Sequence, residues 1–146
     1  MKALPIENVT ARGFLSLDNY ANLSAAHAWT DAGQFRSWLF IGVLGANSSP
    51  SVLVKVQQAK DILGTGVKDI PGKSYTHADA ATGQRIVLIN LLNEELDTAL
   101  GYRFARLRVE VTGGTTTQMT GLMLGCDPRF GRAQDDKLAE VLAVVD

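Results

Sequence analysis

The stretch Arg103-Phe104-Ala105-Arg106-Leu107-Arg108-Val109-Glu110-Val111 alternates between two classes of side chain. Small or branched apolar residues occupy every second position, and mostly charged residues occupy the positions between them. Successive side chains of a β-strand point to opposite faces, so this alternation predicts a strand with one buried and one charged face. The residues predicted to point inward are Ala105, Leu107, Val109 and Val111. Such a strand indicates a β domain with a well-defined surface.

The rest of the chain repeats short apolar segments separated by glycine, proline and asparagine turns. Strands are predicted over 14–17, 35–45, 51–58, 85–91 and 118–126, with weaker candidates at 67–70 and 74–78. The glycines and threonines of 113–117 predict a hairpin-like loop between the strands at 103–111 and 118–126. About seven strands without a βαβ pattern predict a mainly β chain that folds as an antiparallel β-sandwich or jelly roll. The predicted organisation is an extended N-terminal arm (1–13), a β-sandwich domain (14–132) and a C-terminal tail (133–146).

The predicted strand at 35–45 is apolar on both faces. One face carries Trp38, Phe40 and Leu44, and the other carries Leu39, Ile41 and Val43. This pattern indicates either a central strand covered on both sides or a strand at a subunit contact. In the C-terminal segment, apolar residues recur at helical spacing, which predicts a short helix or tail. Such a segment either docks on the core of its own chain or reaches a neighbouring subunit. Its apolar residues are Leu138, Val141, Leu142 and Val145.

Size and charge exclude several classes of function. The 146 residues suggest one domain, and the net charge of −1 gives no long-range attraction to nucleic acid or anionic membranes. We therefore expect no direct nucleic-acid partner and no membrane partner.

Cys126 is the only cysteine, so an intrachain disulfide is impossible, and we expect a buried, inert thiol. The N-terminus lacks the apolar region of a signal peptide.

No motif in the sequence points to catalysis. The Gly64-Thr65-Gly66 segment lacks the spacing of a phosphate-binding loop, and His27 and His77, the only histidines, lack the spacing of metal ligands. The adjacent carboxylates at 94–95 and 135–136 are unsuited to converge across a cleft, as acid–base pairs must. We therefore expect no enzyme, no catalytic residues, no metal site and no cofactor.

With no sign of catalysis, binding to another molecule through the protein surface is the remaining class of function. The candidate interface residues are Arg103, Arg106, Arg108, Arg129 and Phe130. The arginine side of the strand at 103–111 has two interpretations. It is either a solvated face with cross-strand salt bridges or an inter-subunit contact in which arginine binds carboxylates bidentately. Trp29 and Tyr75 lie in weaker segments, and, if exposed, their rings would suit stacking on sugars.

Several segments together resemble a known class of protein. They are 17–20, 54–61, 64–70, 95–97 with 101–109, and 122–130. In sequence they read LDNY, VKVQQAKD, GTGVKDI, ELD with GYRFARLRV, and LMLGCDPRF. This set resembles small virion structural proteins, capsid decoration or cement-like, of tailed-bacteriophage head gene clusters. The resemblance covers most of residues 14–130 and is a pattern of strands and turns rather than a catalytic signature.

The resemblance implies a non-enzymatic capsid cement or decoration protein that binds and stabilises the head shell. Its implied partners are the major capsid protein and copies of itself, as a homo-oligomer such as a trimer around a local threefold axis. Its implied location is the virion head surface, after assembly in the bacterial host cytoplasm. Two alternatives stay open: a neck, tail or head-fibre structural component, and a carbohydrate-binding β-sandwich module for host attachment.

Overall fold

The computed structural model describes residues 9–21, 24–47, 51–77, 84–113 and 116–129. Residues 1–8 of the predicted arm, Phe130 and the predicted C-terminal helix or tail lie outside these ranges. The division into an arm, a domain and a tail therefore stays a prediction.

The described residues form nine strands and three single turns of 3-10 helix. The strands are β1 (Val9–Ala21), β2 (Ser24–Ala26), β3 (Thr30–Asp31), β4 (Phe35–Asn47), β5 (Ser51–Ala59), β6 (Lys68–His77), β7 (Arg85–Leu92), β8 (Phe104–Thr112) and β9 (Thr116–Pro128). The 3-10 turns are Ala32–Gln34, Asn93–Glu95 and Thr98–Leu100.

The strands are arranged in two antiparallel sheets. Sheet A has the order β1-β9-β4-β7, and sheet B has the order β2-β8-β5-β6, with β3 also paired to β8. The two sheets pack face to face, which confirms the predicted mainly β, antiparallel β-sandwich.

The alternation along β8 points its apolar residues into the space between the sheets. Ala105 and Leu107 are fully buried, Val109 and Val111 nearly so, which confirms the inward face predicted from the sequence. The residues of β5 that were predicted to point inward, and one of the two apolar sides of β4, complete the centre of the core. They are Val52, Val54, Val56, Trp38, Phe40 and Leu44. Met119 and Met123 of β9 join them, and no feature of the sequence had singled these two out.

Three local predictions were wrong in detail. Residues 9–13, assigned to an extended arm, belong to β1 and pair with β9. The weak candidates at 67–70 and 74–78 form a single strand, β6, because a register shift opposite Lys55 and Gln57 absorbs Pro71 and Gly72. The third concerns β8 and β9, which do not form the hairpin that the sequence predicted. β8 lies in sheet B and β9 in sheet A, so that each presents its apolar side to the same core.

Candidate contact surfaces

The two outer faces of the sandwich differ in chemistry. We call the outward side of sheet B the polar face. Its hydrogen-bonding residues are Ser24, Lys55, Gln57, Asp69, Arg106, Arg108 and Glu110. We call the outward side of sheet A the apolar face. Its residues are Phe14, Leu39, Ile41, Val43, Ile86, Leu88, Leu122 and Leu124.

The polar face is held together by a chain of ion pairs. The Lys55 ammonium lies 3.0 Å from a carboxylate oxygen of Asp69 and 3.0 Å from one of Glu110. Arg108 donates to Glu110 at 2.9 Å and also to the hydroxyl of Ser24 at 2.9 Å. The hydrogen bond from Lys55, joined by that from Arg108, holds the pKa of Glu110 below its usual value. These charges are paired within the chain.

Arg106 lies over an aromatic ring instead of facing a carboxylate. Its guanidinium donates to the Gln57 side-chain oxygen at 3.1 and 2.9 Å and lies 4.2 Å from the centre of the Trp29 ring. Burial, and then the charge of Arg108, lowers the pKa of Arg106. The stacking is a cation–π contact that also shields the ring from solvent.

Trp29 is therefore unsuited to bind a sugar. The sequence interpretation that exposes this ring was wrong, because Trp29 is buried. Gly64 comes so close that a Cβ at this position would lie 2.6 Å from the indole nitrogen. Tyr75 is half exposed on β6, as stacking on a sugar requires. The buried Trp29 does not supply a second exposed ring beside it.

The remaining predicted interface residues lie in two separate places. Arg103 lies directly before β8 and forms an ion pair with Asp31, to which its Nε donates at 2.7 Å. Arg129 lies at one end of sheet A, where it lines a depression with Arg36 and Glu94. The structure thus places Arg106 and Arg108 on the polar face of β8, Arg103 just before this strand, and Arg129 at the end of sheet A. Their role as an interface stays a prediction.

The apolar face forms a row that crosses all four strands of sheet A. In the register of the sheet, Phe14 pairs with Leu122, Leu122 with Ile41, and Ile41 with Leu88. Cross-strand neighbours of this kind lie in side-chain contact. Leu88 is 62% exposed and Ile86 is 68% exposed. The sequence signal for this surface was the second apolar side of β4, which the structure places outward.

Cys126 lies at the rim of the apolar face, where β9 ends. It pairs in register with Ser37 of β4 and is half-buried, not fully buried as the sequence suggested. Burial, and then the charge of Asp127, raises the pKa of its thiol. A thiol of this kind reacts slowly but remains reachable from outside the sheet.

His27 is a buried group that no sequence pattern had set apart. Its ring stacks on Phe40, with 6.3 Å between the ring centres, and within the described residues neither ring nitrogen has a hydrogen-bond partner. Burial lowers the pKa of His27 from its ordinary 6.5 to about 4. The ring is therefore neutral at pH 7 and functions as a core residue.

The glycine segment at 64–66 is a closed turn. The carboxylate of Asp61 accepts hydrogen bonds from the backbone of Leu63 and Thr65, each at 3.0 Å, and so occupies the centre that a phosphate would need. The parts of the chain that the structure describes hold no cluster of three metal-ligating side chains. Within the same parts, no helix reaches the length and apolarity that a membrane crossing needs.

No protein-family model and no curated protein matches this chain. Among solved structures, a chain of the infectious bursal disease virus (Gx strain) is similar, at 10% identity and a TM-score of 0.53. The match covers 82% of this chain and 32% of that one, so this chain spans about a third of that protein. The protein YomS derived from the SPBc2 prophage is similar at 15% identity and a TM-score of 0.42, over 86% of this chain and 100% of that one.

A carbohydrate-binding module specific for non-crystalline cellulose is also similar, at 9% identity and a TM-score of 0.47. That match covers 78% of this chain and 69% of the module. At these identities, the likeness to the viral chain shows a shared β-sandwich fold and nothing about function.

Proposed function

We propose that this chain is a non-enzymatic virion structural protein, and specifically a capsid cement or decoration protein that binds and stabilises a head shell. The observation that carries the proposal is the apolar face. A row of large apolar side chains crosses an entire sheet, and its outer members, Ile86 and Leu88, are more than half exposed. Contiguous exposed apolar surface of this kind marks sites of protein–protein contact.

The chemistry of the described residues supports the same conclusion. The polar face pairs its charges internally, and the buried histidine is enclosed in the core. The segments that resemble phage head-cluster proteins lie in or beside β1, β5, β6, β8 and β9 of the sandwich. On a shell, many copies of one modest contact act together, so that avidity gives firm attachment without a deep pocket.

Arg103, Arg106 and Arg108 are proposed as a second, weaker contact. The Arg103 side chain, directly before β8, stays largely exposed while it pairs with Asp31. Arginine at a rim contributes to orientation and association rate more than to affinity. The proposed partners are the major capsid protein and copies of this chain.

Particle binding tests the proposal. Shells that lack this protein are mixed with the purified chain, and bound copies are counted by quantitative mass spectrometry. A cement protein saturates at on the order of hundreds of copies per particle, whereas a neck ring would give about six or twelve. A count of six or twelve would favour the neck alternative, and no binding would refute a virion role.

A charge placed on the apolar face tests which surface is used. Leu88→Asp should reduce shell binding by at least about tenfold, because an aspartate would have to be buried in the contact. The matched control is Val67→Asp, which changes an exposed apolar residue on a loop away from this face. Equal binding by the two variants would remove the apolar face from the proposal.

A further inference from the structure

Strand β7 forms one edge of sheet A. Among the described residues, its backbone pairs with β4 on one side and with no strand on the other. A depression of about 580 Å³ lies along the free side, between residues 85–90 of β7 and 72–75 of β6. The backbone N–H and C=O groups of β7 that point away from β4 therefore face open space. A row of such groups is a template on which another strand can pair.

The other three edges in the described part of the sandwich have features that hinder such pairing. β1 breaks its register with β9 twice, and the edge of sheet B at β2 and β3 consists of strands of only three and two residues. β6 contains Pro71, Lys73 and a register shift. β7 has none of these features, because its eight residues pair with β4 in unbroken register and include neither proline nor lysine. Of the four edges, β7 is the one suited to pair with another strand.

The two ends of β7 carry opposite charges. Arg85 begins the strand, and Glu94 lies in the 3-10 turn that follows it, and both side chains are exposed. Arg85 donates to the backbone carbonyl of Gln84 at 3.0 Å, and Glu94 lines a depression with Arg36 and Arg129. Within the described residues, neither Arg85 nor Glu94 forms an ion pair. When two β7 strands lie antiparallel, the Arg85 end of each strand meets the Glu94 end of the other.

A second copy of β7 matches both the free edge and these charges. Antiparallel pairing about a two-fold axis is self-complementary and closed, because each copy then uses its one regular edge. In a pairing centred on Ile89, Ile86 lies opposite Leu92 of the partner subunit, so exposed apolar side chains become cross-strand neighbours. Pairing of β7 with β1 of another copy would instead meet the two breaks in the register of β1.

We propose that β7 pairs antiparallel with β7 of a second copy of this chain, so that two copies of sheet A form one continuous eight-stranded sheet. The inference rests on the proposed function, since it specifies how copies of this chain bind one another. It uses the edge of sheet A and leaves the apolar face open. The faces of the two copies then adjoin, and a dimer presents twice the surface to a shell. A two-fold dimer replaces the threefold arrangement that the resemblance implied.

Reversal of the end charges tests the pairing. At about 100 μM, well above a micromolar dissociation constant, wild type should have twice the mass of the 15.7 kDa monomer by light scattering. Arg85→Glu and Glu94→Arg should each raise the dissociation constant at least about tenfold, because like charges then meet at both ends of the pair. The control is Lys60→Glu, which reverses an exposed charge just after β5 and should dimerise as wild type does.

Two rescue experiments show that the charges meet across copies. The double variant Arg85→Glu with Glu94→Arg should dimerise with nearly the wild-type dissociation constant, because opposite charges again meet. An equimolar mixture of the two single variants should form a heterodimer for the same reason. Neither rescue is expected if the single variants act by disturbing the fold of each copy.

Hydrogen exchange shows whether the contact lies on the edge. Backbone amides of β7 should exchange more slowly in wild type than in Arg85→Glu at the same concentration, because pairing gives them new acceptors. Amides of β1, on the opposite edge of sheet A, should exchange equally in both proteins.

Three results would overturn the proposal: a monomeric wild type at about 100 μM, single variants that dimerise as wild type does, or a dimer without slowed exchange in β7. All are measured on free protein, so they are distinct from a test of shell binding. Dimers that fail to bind shells would refute the proposed function and leave the pairing intact. Monomers that bind shells would refute the pairing and leave the proposed function intact.

Discussion

At the scale of single residues, His27 is the clearest case of a polar group that the fold has made part of its core. Its ring is 6% exposed and stacks on Phe40, and burial lowers its pKa to about 4. In the unfolded chain the same ring titrates near 6.5. The unfolded state therefore binds more protons than the folded state between these two values.

This difference predicts an acid-sensitive step in stability. The free energy of unfolding should be at its plateau above pH 6.5 and should fall as the pH drops towards 4, by on the order of 3 kcal/mol. His27→Phe should abolish most of this slope, because a neutral ring then fills the site at every pH. Urea unfolding, monitored by tryptophan fluorescence at a series of pH values, measures how the free energy of unfolding changes with pH.

His77→Gln is the control for that measurement. It removes the other histidine of the chain and leaves His27 in place, so the slope between pH 6.5 and 4 should persist. The same slope in His27→Phe as in wild type would show that another group causes it. The paired carboxylates are poor candidates, because those whose pKa is lowered lose their contribution only below their ordinary values.

At the scale of elements, Lys55 of β5 connects two neighbouring strands. Its ammonium lies between Asp69 of β6 and Glu110 of β8, and its side chain is only 13% exposed. Without this cation the two carboxylates would lose a shared partner and face each other across β5. Lys55 thus joins three strands by ion pairs, beside Gln57, which donates to Asp69 and accepts from Arg106.

Lys55→Met should lower the free energy of unfolding by about 1–2 kcal/mol at pH 7, because two carboxylates lose a charged hydrogen bond. The deficit should shrink as the pH falls below the ordinary values of aspartate and glutamate, because a protonated carboxyl gains no ion pair from the lysine. Thermal unfolding at pH 7 and at pH 3.5 measures both effects. Lys60→Met, an exposed lysine outside this cluster, should change stability by less than about 0.5 kcal/mol. A deficit independent of pH would contradict the electrostatic explanation.

At the scale of the whole molecule, the topology joins distant parts of the chain. β1 pairs with β9, so the first described strand must find the last one, and β4 completes its pairing only when β9 arrives. Closing such long loops costs conformational entropy before the contacts between the paired strands have formed. The fold is therefore expected to form slowly and cooperatively.

Refolding from urea should proceed on a scale of about milliseconds to seconds, as in other sandwiches dominated by distant pairings. The buried Trp38 offers a natural probe for stopped-flow fluorescence, because its ring enters the core only when both sheets meet. The control is the final amplitude at equilibrium, which must match that of the native protein. Refolding in microseconds would contradict the argument from topology.

The sequence by itself determined the main strands and, for β5 and β8, the side that faces inward. Alternation along β5 and β8 was sufficient for this, because a strand with one buried face has a strict period of two. The same rule showed that β4 is apolar on both sides. It could not separate a covered central strand from a contact surface, since both have the same sequence pattern.

Only the tertiary structure decided how those strands combine. Which strands share a sheet depends on pairings between distant segments, and local pattern contains no information about them. Hence the sequence predicted a hairpin of β8 and β9, although the two strands lie in different sheets. Burial of Trp29 also depends on such pairings, because Arg106 and the turn at Gly64 cover it from other elements. The contrast between the polar face and the apolar face also depends on the strand order of the two sheets, because that order decides which side chains become neighbours on each face.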